Sequence, residues 1–292
     1  MTTIGFIGPG IMGAPMIANL VGGGHRVRAY GRSEASRTRI EEAGAETAAS
    51  VTEAAQDADI VITMLPDSPD VTEVVLDDGG LGQTMRAGQV YIDMSTIRPD
   101  VAQRIHATLD ARDVPALDAP VSGGEPAAVA GELSIMVGGS AETLAHVRPV
   151  LEALGSTITH VGGPGAGQLT KAANQLIVAA NIQAVAEAIV LLEANGADLT
   201  ASLEAIAGGL AGSTVLNRKR QAFLEGAYAP GFRIDLHDKD LRIVGATAES
   251  SEVALPMTAV VTQLMRAAKA NGYGGSDHSA LLAMARQLNN RD

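Results

Sequence analysis

The 292-residue chain contains no cysteine, which removes disulfide bridges, thiolate nucleophiles and Cys-based zinc sites together. Aromatic side chains are nearly as scarce, 2% of residues against 46% hydrophobic overall, so a core must be filled by Ala, Val, Ile, Leu and Met. Positive charge is also in short supply. The chain has 21 Lys and Arg against 33 Asp and Glu, a formal net charge of -12, and that balance repels nucleic acid and anionic lipid. A protein of this kind that binds anions must concentrate its few cations locally. No basic stretch and apolar run of a secretory signal follows Met1, so the expected location is cytoplasmic. The apolar stretch 176–192 is interrupted by Asn181, Gln183 and Glu187, and is read as a buried helix rather than a membrane span. There is no internal repeat, no low-complexity tail and no H-E-x-x-H pair, so no metal site is expected.

The length suits two domains, because single cores stop growing at roughly 250–300 residues. Up to about residue 162, short apolar runs alternate with helical patterns, as in β-α units of a parallel sheet. Candidate strands are 4–7, 26–30, 60–64, 90–93, 116–118 and 134–137, and candidate helices include 13–21 and 34–43. From Pro120 onward the pattern is more irregular and admits strands that are not all parallel. Gly162-Gly163-Pro164-Gly165 then punctuates the chain, and Ala/Leu-rich periodic segments replace the strands. The expected division is 1–163 as a dinucleotide-binding α/β domain and 164–292 as an all-helical domain. A helix of 25–30 residues should begin near Ala166 and stop at Asn195-Gly196.

Gly8-Pro9-Gly10-Ile11-Met12-Gly13 is a G-x-G-x-x-G directly after the first strand and directly before a helix, the context that gives this motif meaning. Gly8 permits the tight turn, Gly10 lets backbone approach a pyrophosphate, and Gly13 lets helix pack on strand. The free amides of the helix start favour the phosphate charge. After the second strand, an acid would hold the ribose of NAD. Here stand Tyr30-Gly31-Arg32-Ser33, with no local carboxylate and with a guanidinium suited to phosphate. The expectation is NADPH in preference to NADH, with Arg32 as a solvated surface residue the alternative.

Two further clusters carry chemistry. Ser122-Gly123-Gly124, ahead of Pro126, forms a run of amides that can receive an anion, or a plain turn and helix cap. At 100° per residue, Lys171, Asn174, Val178 and Asn181 share a sector of roughly 80° on the long helix. A lysine buried there has its pKa lowered toward values useful for proton transfer; at a surface it would merely snorkel. A third polar run, from Phe232 to Leu241, reads as a helix with Leu236 and Ile243 inward, Lys239 facing an anion and the other charges in solvent.

Taken in order, Gly5–Gly13 with Met16, Asp118–Gly124 with Gly131-Glu132-Leu133, Gly165–Asn174 and Phe232–Asp240 resemble the signatures of the β-hydroxyacid dehydrogenase family across nearly the whole chain. Gly123-Gly124-Glu125-Pro126, Lys171-Ala172-Ala173-Asn174-Gln175, residues 208–216 and Asp277-His278-Ser279-Ala280 are most similar to its tartronate semialdehyde reductase branch. Two departures stand out: Pro9 replaces the family's leucine, and Gly31-Arg32 replaces the acid of NAD-using members.

The resemblance implies a Rossmann-type domain followed by an all-α domain, as in 6-phosphogluconate dehydrogenase. It also implies reduction of a small carboxylate-bearing aldehyde, with tartronate semialdehyde foremost. Lys171 would be general acid/base, Asn174 would orient the substrate oxygen, and Ser122, Gly123 and Gly124 would bind the carboxylate. Met64, Leu65, Pro66 and Thr96 would line the nicotinamide, with Lys239 closing over it. Alternatives are 3-hydroxyisobutyrate, glyoxylate or succinate semialdehyde chemistry, imine reduction, or silent NADP binding. The apolar breadth of the long helix leads to the expectation of a homodimer or homotetramer through the helical domain.

Overall fold

The computed structural model describes residues 1–291. Nine strands run in chain order: β1 Thr3–Ile7, β2 Arg26–Tyr30, β3 Glu46–Thr47, β4 Ile60–Thr63, β5 Val90–Asp93, β6 Ala116–Asp118, β7 Val121–Ser122, β8 Ser134–Gly139 and β9 Thr157–Gly162. Helices α1 Gly13–Gly22, α2 Glu34–Glu42, α3 Val51–Ala55, α4 Ser68–Val75, α5 Leu81–Thr84, α6 Pro99–Asp110, α7 Gly124–Ala130 and α8 Ala141–Leu151 lie between them. Then come α9 Ala166–Ala194, α10 Leu199–Ala207, α11 Thr214–Glu225, α12 Ile234–Ser250, α13 Pro256–Ala268 and α14 Leu281–Leu288.

All strands form one sheet in the order β3-β2-β1-β4-β5-β6-β8-β7, with β9 added against β8. β1 to β6 pair in parallel, β8 is antiparallel to both β6 and β7, and β9 is parallel to β8. The order reverses between β1 and β4, and in open α/β sheets ligands bind beyond the strand carboxyl ends at such a point.

The central strands alternate between two buried faces. Ile4, Phe6, Ile60, Ile62, Val90 and Ile92 join one core with Met16, Ile17 and Leu20. Ile7, Val61 and Tyr91 join the other with Val71, Val75 and Leu81. Helices on both sides of a parallel sheet explain why these strands are near-continuous apolar runs. The strands that sequence reading omits are of another kind: β3 and β7 have two residues each, and β9 is exposed at Thr157, Thr159 and His160.

The chain divides into two compact units, Met1–Lys171 and Ala172 onward, so the first turn of α9 packs with the sheet. The reason is local: the first turn of α9 is bonded to strand ends of the first unit. In the second unit no strand occurs among the described residues. Its core gathers Ala179, Ile182, Ala186 and Ile189 of α9 with Leu216, Phe223, Ile234, Leu241, Met265 and Leu281. By length and composition alone α9 would also pass for a membrane span, its charges being Lys171, Glu187 and Glu193. Its apolar side chains are used in this core.

Candidate active site

The glycine loop sits at the carboxyl end of β1. Gly8 has φ +104° and a Cβ there would lie 2.2 Å from the Met64 carbonyl oxygen. A Cβ on Gly13 would lie 2.0 Å from the Gly8 carbonyl, so α1 can start only where a hydrogen replaces a side chain. A Cβ on Gly10 meets no protein atom within 4 Å; packing does not demand glycine there, whereas the approach of a pyrophosphate does. α1 opens at Met12 without a side-chain cap; the Ala14 amide is taken by the Gly10 carbonyl at 2.9 Å and Pro15 has none, so the Gly13 amide at the helix start is the one left to favour an anion. These residues fit a dinucleotide.

At the end of β2 the two departures noted above prove to be one feature. A Cβ on Gly31 would stand 2.4 Å from Ser36 Cβ and 2.8 Å from Pro9 Cγ, so the proline ring fills the space that a side chain at 31 would need. Ser33 caps α2, its Oγ accepting from the Ser36 amide at 3.2 Å. Arg32 lies at the surface. It is 68% exposed, but its guanidinium lies 3.2 Å from Asp70 and 3.9 Å from Glu73. The carboxylates absent from the local sequence are supplied by α4.

Met64 and Leu65 are half-buried and Pro66 exposed at the end of β4. The Leu65 amide donates to Ser95 Oγ at 2.8 Å, tying this turn to the segment after β5 that contains Thr96. Ser122 ends β7 and is half-buried; Gly123 caps α7 with φ +141° and no side-chain cap bond.

A buried polar network, which the motifs do not announce, joins these strand ends to α9. The Asp118 carboxylate, 1% exposed, accepts from the amides of Gly165 at 2.8 Å and Gln168 at 2.9 Å, with His106 Nε2 at 3.1 Å. It therefore caps a helix from outside the helix's own sequence. The approach is close: a Cβ on Gly167 would lie 2.4 Å from both the Asp118 and Met136 carbonyls, and one on Gly138 would lie 2.6 Å from the Asp118 carboxylate. Gln168 Nε2 donates to the Ser95 carbonyl at 2.8 Å, while its Oε1 accepts from the Ile97 amide at 3.0 Å. Asp93 accepts from Thr63 Oγ1 at 2.8 Å and from the Ser95 amide at 3.2 Å. Burial pushes its carboxyl up to about 6, against those bonds. Lys171, one turn beyond Gln168, is 6% exposed, so the snorkelling alternative is set aside.

Asn174 begins a second chain of contacts, in the second unit. Its Nδ2 donates to Gln175 Oε1 at 2.8 Å, Gln175 Nε2 donates to Asp240 Oδ2 at 2.5 Å, and Asp240 Oδ1 lies 2.8 Å from Lys239 Nζ. Asn181 stands apart from this chain, its amide donating back to the Ile177 carbonyl. On α12 the expectation of solvated charges is overturned. His237, Asp238, Lys239 and Asp240 are all buried while Leu236 is half-buried, because ion pairs with Lys269, Arg242, Arg266 and Lys239 offset the desolvation of the acids.

A largely parallel sheet, a glycine loop fitted to a pyrophosphate and a buried lysine near the start of α9 suit an NAD(P)-dependent oxidoreductase. The comparisons narrow this. The family model for the NAD binding domain of 6-phosphogluconate dehydrogenase matches residues 3–163, and that for NAD-binding of NADP-dependent 3-hydroxyisobutyrate dehydrogenase matches 165–285. The chain belongs to the β-hydroxyacid dehydrogenase family. It is 41% identical over 281 residues to 2-hydroxy-3-oxopropionate reductase of Escherichia coli, covering 96% of this chain and 95% of the relative. It is 38% identical over 288 residues to NAD-dependent L-serine dehydrogenase of Pseudomonas aeruginosa, covering 96% and 97%. The structure of Mycobacterium tuberculosis 3-hydroxyisobutyrate dehydrogenase with L-serine matches with TM-score 0.89 and 34% identity, over 98% and 99% of the two chains.

Proposed function

We propose that this protein reduces a small carboxylate-bearing aldehyde, tartronate semialdehyde foremost, with NADPH preferred over NADH. The observation that carries the reading is Lys171, buried to 6% exposure one turn beyond a helix start fixed to β5 and β6. A fixed amine in a desolvated setting suits proton transfer.

When bound, the reduced nicotinamide supplies a hydride, two electrons with one hydrogen, to the carbonyl carbon. The Lys171 ammonium gives a proton to the carbonyl oxygen as its π bond breaks, so aldehyde becomes alcohol and the amine is left neutral until solvent reprotonates it. Asn174 orients that oxygen. The amides of Gly123 and Gly124, with the Ser122 hydroxyl, hold the substrate carboxylate. Gly8 to Gly13, Met64 to Pro66 and Thr96 would hold the dinucleotide, and Lys239 would close over it. Arg32, with Ser33 beside it, would take the 2′-phosphate in exchange for its pair with Asp70.

NADPH oxidation should follow addition of tartronate semialdehyde, with glyoxylate, methylmalonate semialdehyde and succinate semialdehyde as comparisons and NADH as second cofactor. Lys171→Ala should lower kcat by about 10² to 10⁴, the usual worth of a positioned general acid. Equal rates for this variant and wild type would remove the mechanism. Turnover of cyclic imines in place of aldehydes would favour imine reduction, which the buried lysine speaks against.

The chain is further proposed to be cytoplasmic and to form a homodimer or homotetramer. Exposed Leu169, Ile177 and Leu191 of α9 fall within about 80° of helix surface, which supports assembly through that face. A monomeric mass by light scattering at micromolar concentration would count against it.

A further inference from the structure

Gln168 bears no charge, yet it is 1% exposed and both polar atoms of its side chain are hydrogen-bonded. Its two amide contacts straddle Thr96: Oε1 takes the Ile97 amide at 3.0 Å and Nε2 gives to the Ser95 carbonyl at 2.8 Å, with Asp93 Oδ2 at 3.4 Å. Its own main-chain amide is held by Asp118 at 2.9 Å. The side chain thus clips the turn after β5 to the first turn of α9, three residues before Lys171. A peptide-like clamp on both sides of one residue fixes that residue's backbone in two directions, and the amide at 168 fixes the helix in a third.

We infer that Gln168 is a positioning residue that sets the distance between the nicotinamide-side turn at Thr96 and the proton donor Lys171. The inference rests on the reading that Thr96 lines the nicotinamide and Lys171 donates the proton. Leucine at 168 fills similar volume but makes neither contact, so the turn and the helix lose their common reference. Glutamate keeps the acceptor for the Ile97 amide but cannot donate to Ser95 while ionised. Protonated, it restores an O–H donor beside the carbonyl acceptor. The groups around it are Asp93 on β5, Asp118 and His106 from β6 and α6, and Tyr91, whose hydroxyl reaches Asp93 through Thr63.

A control of similar cost exists away from the strand carboxyl ends. Gln89, 5% exposed just before β5, donates to the Ala55 and Ala58 carbonyls at 2.8 and 2.7 Å and accepts from the Arg86 amide at 3.0 Å. Gln168→Leu, Gln168→Glu and Gln89→Leu would be compared with the wild type for melting temperature, single-turnover NADPH oxidation, aldehyde KM and hydrogen exchange of the Ile97 amide. The expected result is a single-turnover rate lowered about 10- to 100-fold in Gln168→Leu, the scale of a 1 Å misplacement. Its KM should be little changed and its Ile97 exchange faster. Gln89→Leu, at comparable loss of melting temperature, should keep the wild-type rate. Gln168→Glu should regain rate relative to wild type as pH falls from 8 to 6. Equal rate losses at 168 and 89, or a wild-type rate in Gln168→Leu, would overturn the inference.

If the wild-type protein itself turns over no carboxylated aldehyde, the functional reading fails, and positioning is judged on binding. NADPH should then protect Ile97 and the first turn of α9 from exchange in the wild type but not in Gln168→Leu. Equal protection in both would overturn it.

Discussion

Introducing aspartate at position 31 is the obvious way to turn this site toward NADH, since an acid at the end of β2 holds the ribose hydroxyls and repels a 2′-phosphate. The geometry argues that the exchange fails on its own. A Cβ at 31 would sit 2.4 Å from Ser36 Cβ and 2.8 Å from Pro9 Cγ, both well inside contact distance, and neither neighbour is the far end of a flexible side chain. Forcing atoms into a filled space typically costs 1–3 kcal/mol. At about 2–4 °C per kcal/mol for a unit of this size, Gly31→Asp should melt roughly 4–8 °C lower if the cost is about 2 kcal/mol. Its NADPH kcat/KM should fall, and its NADH kcat/KM should not rise, because the displaced turn no longer presents the acid to the ribose. Adding Pro9→Ala and Ser36→Gly should recover most of the melting temperature, less about 1 kcal/mol for glycine in α2, and let NADH activity rise. The assays are thermal melts and initial rates with both cofactors. A single Gly31→Asp variant that melts with the wild type and gains NADH activity would refute the packing argument.

Asp277 anchors the turn before α12: its carboxylate accepts from Lys219 Nζ, the amides of Gly231, Phe232 and Ser279, and Ser279 Oγ, at 2.7 to 3.1 Å. Asp277→Ala should cost about 3–5 kcal/mol, as breaking a buried pair does; a chemical-denaturation midpoint unchanged from wild type would contradict this. His278 is held neutral by burial and by His237, its pKa well below 6.5. Unfolding therefore takes up a proton below pH 6.5, and stability should fall there by up to about 1.4 kcal/mol per pH unit. His278→Gln should flatten that slope in melts from pH 7.5 to 5. Asp93 acts in the opposite sense: with its carboxyl raised from 3.8 to about 6, it contributes stability below pH 4 that is lost as pH rises through 6. Asp93→Asn should accordingly compare better with wild type at pH 7.5 than at pH 4.5, and a difference independent of pH would refute that.

Burial decided which elements could be read from the sequence. The strands of the parallel core declare themselves because both faces are apolar, and α9 was bounded to the residue by a glycine-proline turn and Asn195-Gly196. β3, β7 and β9 left no such trace, being short or polar, and depend on neighbours for their conformation. The close packing at Gly8 and Gly13 and the burial of Lys171 were legible because the chemistry expected of them needs particular residue types at fixed spacing. Gln168 and Gln175 were not, since an amide has no spacing rule; the one hint was Gln168 lying three residues before Lys171 on the same helix face. Asp238 and Asp240 look solvent-facing in the sequence, but Arg266 and Lys269, far along the chain, and Lys239 and Arg242 on α12 itself supply the charges that let them be buried. The pairing of Arg32 with Asp70 joins residues 38 apart and is a property of the fold alone.

The capture of a helix start by Asp118 bears on where the chain can be cut. A fragment stopping at Gly163, where sequence punctuation invites a boundary, would strip this carboxylate of the Gly165 and Gln168 amides and leave it with His106 as its partner. Extending the fragment through Lys171 carries both donors along. The longer piece should express as a soluble nucleotide binder, and the shorter one should be prone to aggregation, although the eight residues between them include neither a strand nor a hydrophobic cluster.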